Sequence, residues 1–471
     1  MAPQNTEAKA ALTPGEKKPD FIPSARTGWL GLAGFVLGVL WLNKYGQLFT
    51  WLNQVLSLKK PGFELHEVSR YWEGLILMGF TSVPMLVHDA LLLWCRGKGG
   101  SIDGITRQRD YSFPRTGMKL IGLLGSVVLL ALLYWIFPEY NPSLRLVTDV
   151  LPNPGFYSNF FMLCRLAGPW VLGVCAVYFF FVDARLDDPH DGYWHFGRVM
   201  LLTFDGVDWA KVRNHLRTWA VKGFFMPLMF TFLCSNLPGL YWRADHAAAV
   251  KQLFVGAEAN LGLLQALFNY LNNFIFSIDL AFVACGYVLT MRLVQSHVRS
   301  AEPTMLGWTA ALICYPPFWK MFGDLYLGYW SDGDWQSKLA PHHTTLLIAC
   351  GAGILIFETI FVWATISFGL RFSNLTHRGI VTKGPYYFTK HPAYITKICA
   401  FFLIQLPWID GRGTDQSLRN LFMLAGLCFV YWLRGRTEER HLASIDPAYA
   451  IYAEEIRQRH RRWLRLKFKQ G

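Results

Sequence analysis

The chain has 471 residues, 53% of them hydrophobic and only 16% charged, and it carries a formal net charge of +13. An ordinary soluble domain is about a quarter charged; here aromatic residues take up the difference, and the apolar residues gather in blocks close to the roughly 20-residue length that crosses a bilayer's hydrocarbon core. These features exclude a soluble globular enzyme, a disordered chain and a disulfide scaffold, and they point to an all-α, polytopic helical membrane protein.

Residues 1–27 are polar, with Pro3, Pro14, Pro19 and Pro23 among Lys9, Lys17, Lys18 and Arg26. No apolar run comes early enough for a cleaved signal peptide, so a flexible cytoplasmic tail is expected. Region 28–343 holds seven hydrophobic spans: 29–50, 73–95, 118–137, 156–182, 221–242, 262–293 and 306–330. Region 344–471 adds spans 344–369, 393–408 and 418–433, then a basic helical tail. About ten transmembrane spans are expected, the last two short enough to form a tight hairpin. Gly34 and Gly38 make a GxxxG in the first span, a spacing that lets helices pack closely.

Alternate loops differ sharply in Lys plus Arg. The tail, 96–117, 183–220, 294–305, 370–392 and 434–471 hold 29, and the intervening loops hold 8. By the positive-inside rule both termini are cytoplasmic, and the basic excess faces anionic lipid rather than nucleic acid. The expected location is the bacterial cytoplasmic membrane, or the endoplasmic reticulum in a eukaryote. The nine cysteines contain no CxxC pair, so no zinc or redox site is expected, and no metal is assigned.

Polar residues interrupt the spans at Glu73, His88, Asp89, Arg165, Asn272, Asn273, Asp279, Lys320, Asp324 and Glu358. Ionisable groups inside a membrane are costly and face a bundle interior or a cavity. They mark a headgroup pocket or proton path, or they simply pair helices.

Two polar stretches fall on the cytoplasmic side. The first, 371–394, carries Gly384-Pro385-Tyr386 and Lys390-His391-Pro392-Ala393-Tyr394. Pro392 suits the first turn of a helix, and a helix N-terminus there seats a carboxylate or phosphate. The blander reading is a cytoplasmic loop with aromatic residues at headgroup level. The second, 431–442, carries Glu438-Glu439-Arg440-His441-Leu442, with Tyr449 and Tyr452 beyond. Adjacent acids can hold ribose hydroxyls or an ammonium group. Arg434 and Glu438, four apart, equally suit an ordinary surface pair on a solvated helix. Asn374-Leu375-Thr376 matches a glycosylation sequon, which a cytoplasmic location leaves unused.

Taken together, the Gly-Pro-Tyr, Lys-His-Pro-x-Tyr, short hairpin, Glu-Glu-Arg-x-Leu and spaced tyrosines resemble the isoprenylcysteine carboxyl methyltransferase and phospholipid methyltransferase superfamily over about 344–460. The resemblance implies an S-adenosylmethionine-dependent methyltransferase acting on a lipid or lipophilic acceptor. Its cofactor pocket would be lined by Gly384, Pro385, Tyr386, His391, Pro392 and Tyr394 from one side and closed by Glu438, Glu439 and Arg436 from the other. A sulfonium methyl is already activated, so in-line transfer needs chiefly alignment and exclusion of water. An amine or thiol acceptor would also need a base, for which His391, Glu438 and Glu439 are candidates. A carboxylate acceptor would need a cation, for which Arg371, Arg378 and Arg436 are candidates. The chain departs from the family in the seven spans that precede the matching region. Two rival readings are an NADPH-dependent reductase of the sterol-reductase type, which shares a His-Pro-x-Tyr loop, and a non-catalytic membrane transporter or assembly protein.

Overall fold

The computed structural model describes residues 25–55, 65–97, 105, 109–136, 155–255, 261–315, 318, 335–339, 343–404 and 414–467. The predicted tail up to residue 24, Lys320 and Asp324, and the ends of spans 306–330 and 393–408 lie outside them, as does the side chain of Arg165. In chain order the helices are α1 (Ala25–Val55), α2 (Leu65–Gly97), α3 (Phe113–Ile136), α4 (Gly155–Asp183), α5 (Gly192–Met200), α6 (Trp209–Asn236), α7 (Ala244–Val255), α8 (Leu261–Val288), α9 (Met305–Leu312), α10 (Trp335–Leu339), α11 (Thr344–Phe368), α12 (Pro392–Ile404), α13 (Thr414–Ile445) and α14 (Pro447–Lys467). Two short strands, β1 (Ser300–Ala301) and β2 (Thr376–His377), pair antiparallel.

Among the described residues, five segments are long and apolar enough to cross a membrane: Arg70–Leu93, Phe113–Tyr134, Trp209–Leu240, Leu261–Val288 and Thr344–Arg371. Gly168–Asp183 and Pro392–Ile404 are apolar but shorter. The chain is thus a helical protein of membrane character. α13 continues without a break from the region of the tenth predicted span through Glu438 and Glu439 to Ile445.

The centre of the molecule is a pair of parallel helices, α8 and α11. Phe268 meets Gly351, Asn272 meets Glu358, Asp279 bonds to Thr365, and Gly286 meets the Phe372 carbonyl just beyond α11. The last three pairs share one sequence offset, which is what two helices rising side by side must give. Both helices end near the β1–β2 ribbon. α11 therefore begins at the end opposite the ribbon.

The loops rich in Lys and Arg converge on the end that holds the β1–β2 ribbon. Ile105 bridges to Leu186. The Asn214 amide accepts from Ala301 N at 2.9 Å. β1 pairs with β2, and Asp446 meets His377 at 3.0 Å. At the other end the Asn43 amide bonds to the backbone of Leu240 and Trp242 (3.0 and 2.7 Å), and Gln336 donates to Asn269 at 3.1 Å. Apart from the tail, the loops that the charge count groups together are linked by direct contacts among the described residues.

A contiguous core, including Phe35, Leu77, Phe225, Phe282 and Ile366, is built from α1, α2, α6, α8 and α11. The Gly34–Gly38 pair marks the α1–α2 crossing: a Cβ on Gly34 would stand 2.1 Å from the Phe80 carbonyl oxygen, so a larger residue would force the helices apart. Several polar residues inside the bundle are consumed by pairing. Asp89 accepts from Thr27 Oγ1 at 2.5 Å and pairs with Arg371 at 3.1 Å. Glu73 bonds to Tyr241, and Asn273 donates to the Asn236 carbonyl at 3.1 Å. Buried Lys119 holds Asp183 and Asp191 at 2.6 and 3.1 Å.

Candidate functional site

The loop after α11 is pinned from below. Arg378 is buried, and its guanidinium donates to the carbonyls of Gly286, Phe372 and Ser296. Burial, followed by the field of Arg371, lowers its pKa to about 9. Further on, Gly384 adopts φ +63°, and a Cβ there would stand 2.5 Å from Ser367 Oγ. Glycine is required at this turn on both counts. The turn sets the Tyr386 ring against Phe368 (centroids 5.1 Å apart), while Tyr452 OH on α14 donates to the Tyr386 carbonyl at 2.7 Å. Burial, helped by nearby Glu438, raises the Tyr386 phenol well above its ordinary pKa, so it stays neutral.

Pro392 then opens α12, with His391 immediately before it and Tyr394 in the first turn. The His391 and Tyr394 rings stack at 5.4 Å, 8° from parallel. α13 returns to the same place and delivers its two acids in different roles. Glu439 Oε1 meets His391 Nε2 at 2.9 Å and Lys390 Nζ at 2.5 Å. Burial alone would raise the Glu439 carboxyl, but the hydrogen bonds and charges of His391 and Lys390 outweigh it and bring it down to about 2. Glu438 Oε2 accepts from Tyr394 OH at 2.9 Å and lies 3.9 Å from His391 Nδ1.

These groups surround one mouth of a cavity of about 930 Å³ that continues down between α8, α11 and α12. Tyr386, Lys390, His391, Tyr394 and Glu438 line it. Glu439 stands behind His391 and fixes the ring, Gly384, Pro385 and Pro392 shape the backbone, and Arg436 is half exposed, 3.8 Å from Glu439. The other two candidate clamps are spent elsewhere: Arg371 on Asp89 and the Val294 carbonyl, Arg378 on backbone carbonyls.

The arginine that does reach the cavity is Arg434, which the sequence reading paired with Glu438 on a surface. It is 8% exposed. It donates to Asn374 Oδ1 at 2.5 Å and lies over the rings of Tyr394 and Tyr315 (5.1 and 5.6 Å). No carboxylate lies within ion-pair distance of it among the described residues. Asn374 also donates to Tyr315 OH at 3.1 Å, so the sequon asparagine is a buried wall of the site. Glu302 and His441, 3.8 Å apart, complete the rim. Burial lowers the His441 pKa despite Glu302 and Glu438, leaving a neutral ring. Sequence reasoning missed Arg434, Asn374, Tyr315, Glu302 and His441. For Arg434 a signal existed, since it sits one helical turn before Glu438 and so shares its face.

No protein-family model, curated protein or solved structure matches this chain.

Proposed function

We propose that the chain is a multi-pass integral membrane methyltransferase that uses S-adenosylmethionine and acts on a lipid or other lipophilic acceptor. In this reading it has about ten spans, the last two a short hairpin, and both termini and the cavity mouth face the cytoplasm, where the methyl donor is made. The observation that carries the reading is one cavity mouth that gathers the two motif stretches around a buried guanidinium with no carboxylate partner among the described residues, above a cavity running between apolar helices.

The residues at that mouth fit the donor's chemistry. Arg434 suits its carboxylate, as a fixed fork of donors matches a planar anion. Glu438 suits its ammonium group or ribose hydroxyls, and the faces of His391, Tyr394 and Tyr386 suit an adenine ring or a sulfonium charge. The bound donor supplies an activated methyl group. Glu439, itself paired with Lys390, holds His391 in place, so the ring is oriented before any ligand arrives, and preorganisation of this kind reduces the cost of binding. His391 and Glu438 are the candidate bases at the mouth for taking a proton from an acceptor.

The test is direct binding. S-adenosylmethionine should bind the purified, monodisperse protein and raise its thermal midpoint, because a ligand of the native state stabilises it by mass action. NADPH in a parallel titration should leave the midpoint unmoved. The absence of a shift at millimolar S-adenosylmethionine, or a shift with NADPH alone, would overturn the proposal.

A further inference from the structure

Below its mouth the cavity is walled mainly by apolar and aromatic side chains such as Phe268, Ile354 and Phe361, but polar residues interrupt them, among them Asp279, Lys397, Glu358 and Asn272. They stand in two tiers. In the upper tier Asp279 accepts from Thr365 Oγ1 at 2.5 Å. In the lower tier the Asn272 amide nitrogen, turned toward Glu358, donates to both carboxylate oxygens at 3.1 and 2.5 Å. Seven residues separate the tiers on α8, from 272 to 279, and seven again on α11, from 358 to 365. At the rise of an α-helix that is about 10 Å. Lys397 of α12 stands between the tiers. Its ammonium lies 4.4 Å from the centroid of the Phe361 ring, and its charge acts on both Asp279 and Glu358. No carboxylate comes within ion-pair distance of Lys397 among the described residues.

A plain acyl or prenyl tail filling this space would leave the Lys397 ammonium and the remaining carboxyl lone pairs of Asp279 and Glu358 without a hydrogen bond, and burying polar groups without partners is unfavourable. A hydroxyl suits each tier, since it donates to the carboxylate and can accept from Lys397. The aromatic walls suit a rigid, flat body between the two polar groups.

We propose that this part of the cavity is the acceptor subsite, built for an elongated lipophile with hydroxyl-type groups at two points about 10 Å apart. One group is met by Asp279 and the other by Glu358 and Asn272. This rests on the reading of the mouth as the methyl-donor site. α8, which supplies Asp279 and Asn272, belongs to the spans preceding the family-like region, so those spans contribute to acceptor selection.

The experiment titrates full-length protein in detergent with para,para′-dihydroxybiphenyl, whose oxygens span a matching distance, and with its monohydroxy analogue and the shorter hydroquinone. S-adenosylmethionine affinity is measured on the same preparations. The dihydroxybiphenyl should bind saturably and about tenfold or more tighter than either comparator. Glu358→Leu and, as a second and milder variant, Asn272→Leu should each remove that preference while S-adenosylmethionine affinity stays at the wild-type level. Equal binding of the monohydroxy analogue, or a preference that survives both substitutions, would overturn the two-tier subsite. Selective diol binding without S-adenosylmethionine binding would support the subsite and instead remove the methyltransferase reading.

Discussion

Arg434→Met separates a binding role from a structural one. In the wild-type chain the guanidinium is buried, bonded to Asn374 at 2.5 Å and flanked by Tyr394 and Tyr315, with no carboxylate partner among the described residues. Removing it forfeits one hydrogen bond to a charged group, about 1.5–3 kcal/mol, and two cation–π contacts of about 1 kcal/mol each. It also removes the desolvation penalty of a buried ion, which amounts to several kcal/mol. The two sides nearly cancel, so the thermal midpoint of the ligand-free protein should stay level or rise. Binding of an anionic ligand has no such compensation. Loss of its charged partner costs about 1.5–3 kcal/mol, roughly 10- to 150-fold in affinity. Arg434→Lys, which keeps the charge but not the planar fork, should fall between. Equilibrium dialysis with labelled S-adenosylmethionine measures the affinity, and a thermal melt of the same samples measures the stability. Wild-type affinity in Arg434→Met would refute the assignment, and so would a collapse in stability, because either result makes the guanidinium a structural rather than a ligand-binding group.

The His391–Glu439–Lys390 group predicts a pH dependence. The Glu439 carboxyl lies near 2 in the folded chain, below its ordinary 4.5, so its stabilisation is complete above the ordinary carboxylate range and is lost as pH falls toward 2. Thermal melts should therefore show a wild-type advantage over Glu439→Gln near neutral pH that shrinks as pH falls through that window; a constant difference would contradict the ion pairing. Gly384→Ala should cost about 1–2 kcal/mol from its left-handed backbone alone, with a further loss from the clash with Ser367 Oγ. Ser367→Ala in the same chain should recover only the clash, which melts of the single and double variants will resolve. His391→Ala and Glu439→Ala should each abolish most S-adenosylmethionine binding, whereas Glu73→Gln and Glu358→Gln should leave it nearly unchanged; the reverse pattern would place the donor elsewhere. Cysteine-accessibility labelling should put 96–117, 183–220 and 370–392 on one side of the membrane, and labelling of 370–392 from the opposite side would break the topology.

Hydrophobic blocks, charge asymmetry and two motif stretches were enough to read the helical membrane class, the grouping of basic loops at one end, and the pairing of His391 and Tyr394 with Glu438 and Glu439. All of these rest on local properties: the period and length of apolar runs, the sign of loop charges, and motifs set at the start of α12 and within α13. The roles of individual polar residues were not legible in this way. Arg371, Arg378 and Arg434 look alike in sequence, yet the first is spent on Asp89, the second on backbone carbonyls, and the third faces the cavity. Glu438 and Glu439 are neighbours, but only the first lines the cavity, because successive positions on a helix point about 100° apart. Asp279 and Asn272 join the site only because α8 runs parallel to α11 at a fixed offset. That pairing joins residues 86 positions apart, and such non-local contacts are decided by packing rather than by any local pattern of residues.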